Sequence, residues 1–317
     1  MRREGSPWTG LAAVIGKEAA DHLTSARMRF LEVLILLAAV GAVYAATQNV
    51  KAHVASDPFV FLTLFSTQHD PFPSFVTFLG FLVPLTAIAL GFDAINAEHS
   101  RRTLSRIVAQ PIYRDAVLMG KFVAALLTLA IVLLALWLLL IGLGVLVLGL
   151  PPSGEEVARG FTFWLATVFY GGVWLALSMM FSVVFRQPAT SALAGLAVWL
   201  VMTIFWPILS NVFAGFITPH GLNQLAEAAR HAQFEQIFLR FSPSYIYSET
   251  ALALLHPEAR SLGPVFLSQL QGALLGAPIS FGQSVLLMWP QFVALIASTI
   301  VLFSLAYVIF QRQEIRA

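Results

Sequence analysis

The chain has 317 residues, of which 58% are hydrophobic and only 11% charged, and its mean hydropathy is +0.82. Soluble domains carry about 25% charged residues, so a free-standing soluble domain is excluded and a polypeptide built for a lipid bilayer is expected. The formal net charge of +2 does not point to nucleic acid, because the basic residues flank apolar stretches, and zero cysteines exclude disulfides, thiolate metal sites and cysteine nucleophiles.

The first 29 residues hold Arg2, Arg3, Lys17, Arg27 and Arg29 and lack the uninterrupted apolar core of a cleavable signal peptide. Within them Trp8, Leu11, Ala12, Ile15, Ala19, His22 and Leu23 make a partly apolar face at helical spacing, opposite Lys17, Glu18 and Asp21. Such a helix suits the membrane interface, with a soluble N-terminal arm as the alternative.

Crossing about 30 Å of hydrocarbon takes roughly 20 apolar residues. Stretches free of Asp, Glu, Lys and Arg run over residues 33–50, 71–92, 122–154, 160–185, 187–226 and 261–311. The last is too long for one helix; its first part, with Pro264, Gln269, Gln271 and Pro278, reads as interfacial, leaving residues 284–310 as the span. The expected fold is therefore all-α integral membrane: six transmembrane helices, an N-terminal amphipathic interfacial helix (1–29), a six-span domain (30–311) and a short tail (312–317). Gly171-Gly172 in span 4 predict close helix approach, and Pro207 predicts a kink in span 5. Between spans 5 and 6, residues 217–282 predict helices that form an outer cap or dip part-way into the outer leaflet: an amphipathic segment from Leu222 to Phe241, interrupted near His231, and a second helix opened by Ser242-Pro243.

Six spans put both termini on one side. With them inside, 13 of the 18 Lys and Arg residues are internal and five external (Lys51, Arg159, Arg230, Arg240, Arg260), whereas the acids divide evenly. Lys and Arg near span ends orient membrane proteins, so both termini are expected in the cytoplasm.

The internal segment between spans 2 and 3 carries Asp93, Glu98, Arg101, Arg102, Arg106, Arg114 and Lys121. As a short helix over 100–110, stopped by Pro111, it places Leu104, Ile107 and Val108 on one face, with arginines around them and Glu98 spaced to pair with Arg101 or Arg102. Two readings stand on physics alone: an apolar knob inserted into a soluble partner, or a basic loop lying on anionic headgroups. Asp93 either pairs with Arg114 or Lys121 or simply anchors the end of span 2.

Catalytic signatures are missing. Gly16-Lys17 precedes Glu18 and Gly120-Lys121 precedes Phe122, so neither completes a P-loop, and there is no H-E-x-x-H or G-x-S-x-G. The histidines have no ligand spacing. The span middles lack Asp, Glu, Lys and Arg, which disfavours the ATP-independent alternative, a secondary carrier or channel.

The order Asp93, Glu98, Thr103-Leu104, Gln110-Pro111, Arg114, Gly120-Lys121 resembles the signature of ABC-2 type transporter permeases, and Ser242-Pro243-x-Tyr245 and the closing Phe310–Arg316 extend the resemblance over nearly the whole chain. It is nearest to the subgroup that includes the membrane subunit of the nitrous-oxide-reductase copper-maturation transporter. Arg102 stands where the family usually has Gly. The resemblance implies a permease without its own cofactor, paired with a separate ATPase subunit that binds ATP and Mg. It further implies a second permease copy, and a coupling helix at 100–110 with Glu98, Arg101, Arg102, Thr103, Leu104, Arg106, Ile107, Val108 and Pro111 seated on that ATPase. Asp93, Arg114 and Lys121 are the inner-interface charges. The cap at 217–282 is the expected surface for an outer protein partner, and copper enters as a family-level expectation alone.

Overall fold

The computed structural model describes residues 10–26, 28–29, 32–34, 36–37, 39–41, 44, 59–67, 73–100, 114–219, 223–263 and 278–313. Among them every regular element is helical. In chain order they are α1 (Leu11–Thr24), α2 (Val60–Ser66), α3 (Phe75–Gly91), α4 (Asn96–Ser100), α5 (Arg114–Leu148), α6 (Gly154–Val184), α7 (Pro188–Leu200), α8 (Trp206–Ile217), α9 (Gln224–Leu239), α10 (Pro243–Leu255) and α11 (Phe281–Arg312). Five helical segments are long and apolar enough to cross a membrane: Phe75–Glu98, Asp115–Leu148, Gly154–Val184, Pro188–Ile217 and Phe281–Arg312. Of the expected first span, residues 33–34, 36–37, 39–41 and 44 are described, all of them helical, and the rest lie outside the described residues.

Helix α6 is the axis of the bundle. A capping box fixes its start, with Ser153 Oγ accepting from the Glu156 N–H and Glu156 Oε2 accepting from the Ser153 N–H. The other Glu156 oxygen accepts the Phe61 N–H at 2.8 Å, which anchors α2 to the same end. Along α6, Gly171 and Gly172 leave no room for a Cβ: at Gly171 it would lie 2.3 Å from Leu129 and 3.0 Å from Val83, and at Gly172 3.3 Å from Thr299. The glycine pair thus lets α5, α3 and α11 close on α6 together. Further along, the Ser178 hydroxyl donates to the Ile88 carbonyl and Ser182 Oγ accepts the Ile95 and Asn96 N–H groups, so the end of α3 is pinned to α6.

The span containing Pro207 stays helical over Pro188–Ile217 but departs from α-helical geometry just before the proline. A π-helical turn, Val201–Phe205, separates α7 from α8. Helix α9 turns back along α8 until the Trp206 indole N–H donates to the Phe238 carbonyl at 2.8 Å. Ser242-Pro243 then opens α10, which returns to the end of α6 where the Leu254 carbonyl meets Arg159. The pair α9–α10 is therefore a hairpin whose tip sits near the middle of the adjoining spans. Helix α9 is continuous through His231, where the residue pattern had predicted an interruption. Asn223 caps its start, and no Gly or Pro falls inside it to stop it.

Candidate functional site

At the end of the bundle where α3 and α4 meet α5, one ammonium organises three helices. Lys121 Nζ lies 2.8 Å from Glu98 Oε1 and 3.0 Å from Glu18 Oε1. All three side chains are largely buried, at 8% exposure for Lys121, 16% for Glu98 and 13% for Glu18. Lys17 extends the cluster, reaching Glu18 and Asp21 at 3.1 Å each. Asp93 lines the same cleft of about 220 Å³, together with Asp21, His22 and Glu98.

Local sequence explains why α1 docks here. Leu11, Val14 and Glu18 recur at helical spacing on one stripe of α1, and that stripe crosses α5 at Gly120, where a Cβ would lie 2.7 Å from Val14 Cγ1 and 3.5 Å from Leu11. Glycine permits the close crossing, and the next residue, Lys121, meets Glu18 one helical turn beyond Val14. The Gly-Lys pair thus acts as one docking element, steric at the first position and electrostatic at the second. Burial opposes the charge on Glu18, yet the Lys121 and Lys17 ammonium groups outweigh it and hold the carboxyl below its ordinary value.

The same end is closed from the other side by the last helix. Gln311 donates to the Asp115 carboxylate, and the Gln313 side chain donates to the Val183 carbonyl at 2.7 Å. Displacement of Glu98 therefore meets a bonded frame of α1, α5, α6 and α11.

At the opposite end two buried charge clusters hold the hairpin. Arg159, wholly buried, donates to Glu155 Oε1 at 2.8 Å, to the Leu254 carbonyl at 3.1 Å, to Ser284 Oγ at 2.8 Å and to the Ile279 carbonyl at 2.6 Å. Its guanidinium also lies 5.6 Å from the centre of the Phe59 ring. Glu249 accepts from Arg240, from Gln236 at 2.8 Å and from Gln291 of α11 at 3.1 Å. Burial dominates at His256, just beyond α10, pushing its imidazole below the ordinary value against the opposing pull of Glu258.

Of the residues singled out by sequence, Glu98 and Lys121 are brought together, and the partners that spacing suggests for Glu98, Arg101 and Arg102, fall outside the described residues. Arg114 opens α5. Arg101, Arg102, Thr103, Leu104, Arg106, Ile107, Val108 and Pro111 lie outside the described residues. Sequence reasoning gave Glu18 and Gly120 no part in docking α1 and missed Arg159 and the Glu249 cluster as polar centres. A signal existed for Glu18, an acid on the same stripe as Leu11 and Val14, and for Arg159, four residues after Glu155.

The sequence profile of ABC-2 family transporter proteins matches residues 12–315. The chain is also 25% identical over 239 residues to the probable ABC transporter permease protein NosY of Stutzerimonas stutzeri, a match that spans 74% of this chain and 76% of that protein.

Proposed function

Because this chain belongs to the ABC-2 family of transporter proteins, and is thus a multi-pass membrane subunit of an ABC transporter, we propose that it converts ATP hydrolysis by a separate cytoplasmic subunit into movement of its own spans. The ATPase subunit supplies the P-loop and binds ATP and Mg. The segment 100–110 is the coupling helix, with Leu104, Ile107 and Val108 inserted into the ATPase and Arg101, Arg102 and Arg106 around them. Lys and Arg asymmetry supports a cytoplasmic position for this segment and for both termini in the inner membrane.

One observation carries this reading: the ion triad Glu18–Lys121–Glu98. Glu98 stands immediately before the coupling segment and Lys121 soon after it. A push on the segment is transmitted at once to α1, to the start of α5 and, through Ser182, to α6. Two copies of the chain face each other, each seated on one ATPase, since a half of this size forms a single wall of a pathway. The work done is export of a cargo or transmission of motion to an outer protein docked on 217–282.

The reading is tested by expressing a P-loop ATPase encoded beside this chain with and without the chain itself. ATPase recruited to membranes only when the chain is present supports it. Transport by the purified chain in vesicles, driven by an ion gradient without nucleotide, contradicts it.

A further inference from the structure

The π-turn in the span Pro188–Ile217 leaves the Met202 carbonyl without its helical donors. The Trp206 N–H bonds to the Val201 carbonyl, five residues back, and Pro207 has no N–H to offer. The Met202 carbonyl has thus lost both of its regular donors. It accepts instead from the hydroxyl of Ser242 at 2.8 Å, at the tip of the α9–α10 hairpin. A half-buried carbonyl facing an apolar surround is costly to leave without a donor, so this bond favours keeping the hairpin tip on the turn.

The next residue starts a second connection. Thr203 Oγ1 lies 2.9 Å from Ser244 Oγ, Ser244 Oγ lies 3.0 Å from the Tyr170 hydroxyl, and that hydroxyl donates to the Gly80 carbonyl at 2.9 Å. Four elements are threaded in sequence: the π-turn, α10, α6 and α3. Tyr247 stacks on Tyr170, rings 4.3 Å apart and 9° from parallel, which fixes the α10 side of the chain. The two halves of the broken span have different company. Helix α7 packs on α3 and α6, with Gly195 against Ile88 and Trp199 against Phe81, whereas α8 packs on α9.

We infer that this span bends at its π-turn and that Ser242 and the hydroxyl chain Thr203–Ser244–Tyr170 are positioning residues that carry the bend into the hairpin. The inference rests on the reading of the chain as a motion-transmitting subunit and adds where the motion crosses from the spans to the cap. A π-turn can shift its register without breaking the helix, and the partners gathered on it, Ser242 and Ser244, belong to the hairpin. Bending of α8 relative to α7 therefore drags Ser242 and Ser244, and Tyr170 sets the reference point on the rigid α6.

The chain has no cysteine, so spin labels can be placed without background. One pair, Ala228→Cys with Val157→Cys, reads the hairpin against the start of α6; a second, Val184→Cys with Leu193→Cys, reads α7 against the other end of α6. In the chain alone, in lipid nanodiscs, Thr203→Val and Tyr170→Phe are expected to shift or broaden the first distance distribution and leave the second unchanged, with Thr203→Ser restoring the parental distribution. With the ATPase subunit bound, nucleotide is expected to move the first pair in the parent, and Tyr170→Phe to lose that movement while ATP turnover persists. A first distribution identical to the parent in Thr203→Val and Tyr170→Phe overturns the inference, as does equal loosening of both pairs. A parent complex that hydrolyses ATP without moving the first pair also overturns it, and leaves the subunit assignment standing. Failure to recruit any ATPase removes the assignment instead, and the ATP-free comparison still decides the hinge.

Discussion

Lys121 and Glu98 are joined across 2.8 Å although α4 and α5 are separated in sequence by the segment expected to dock on the ATPase. The bond closes that segment into a loop with a charged base, and Glu18 of α1 occupies the remaining side of the same ammonium. Replacing Lys121 by Met leaves two buried carboxylates facing each other without compensation. Breaking a buried ion pair in this way costs about 3 kcal/mol or more. The expected outcome is release of α1, read as faster protease cleavage near Lys17 and a lower melting temperature in detergent.

Gly120 makes a sharper test of the same interface, because its effect is steric. Gly120→Ala places a Cβ 2.7 Å from Val14 Cγ1, and overpacking of this kind costs about 1–3 kcal/mol. Val14→Ala removes the obstructing methyls. The double variant Gly120→Ala/Val14→Ala is expected to be more stable than the sum of the single changes predicts, a coupling of about 0.5 kcal/mol or more in a thermal-unfolding cycle.

Acid weakens the docking of α1 in a defined window. The Glu18 carboxyl is held below its ordinary value near 4.5 in the folded protein, so its contribution is complete above that value. It is lost as pH falls through the lower, folded-state value, where the proton is finally taken up. A fluorophore on Ala13→Cys, on the exposed face of α1, is expected to report stable docking at neutral pH and release in acid. Glu18→Gln is expected to remove the acid-dependent step attributable to this carboxylate and to weaken docking at neutral pH.

At the cap end the prediction turns on geometry. Arg159 reaches Glu155, Leu254, Ile279 and Ser284 with separate N–H groups, and a lysine has one nitrogen for the same four acceptors. Arg159→Lys is expected to recover only part of the stability lost in Arg159→Met, the latter about 3 kcal/mol or more because buried acceptors and Glu155 lose their donor. Hydrogen exchange of α10 and the start of α11 checks it, with faster exchange expected in both variants.

Much of the architecture was legible because hydrocarbon thickness sets span length and charge marks the ends. The stretches around 71–92, 122–154 and 160–185 read directly as the helices built on Phe75, Asp115 and Gly154. Gly171-Gly172 and Pro207 carried their meaning in their own chemistry, one by lacking a side chain and the other by lacking an N–H. The hairpin α9–α10 is legible as a pair of helices, and its sequence leaves an outer cap and a part-way insertion both open. Depth depends on Ser242, Ser244 and Glu249 finding Met202, Tyr170 and Gln291, and those residues are far apart in the chain. The same limit hid the triad: Glu98 has arginines nearby in sequence, and only packing brings it Lys121. The Gly120-Lys121 pair was noticed as a motif, and its partners Val14 and Glu18 follow only once α1 is laid across α5.

The central claim, that the segment between Glu98 and Lys121 grips an ATPase and drives the frame behind it, is tested most directly by Leu104→Asp/Ile107→Asp. The variant is expected to insert, to keep the parental melting temperature and to keep α1 docked, because neither residue belongs to the triad. It is also expected to lose co-purification with the ATPase subunit and the nucleotide-dependent movement of the hairpin. Undiminished association of the ATPase with this double variant would contradict the account.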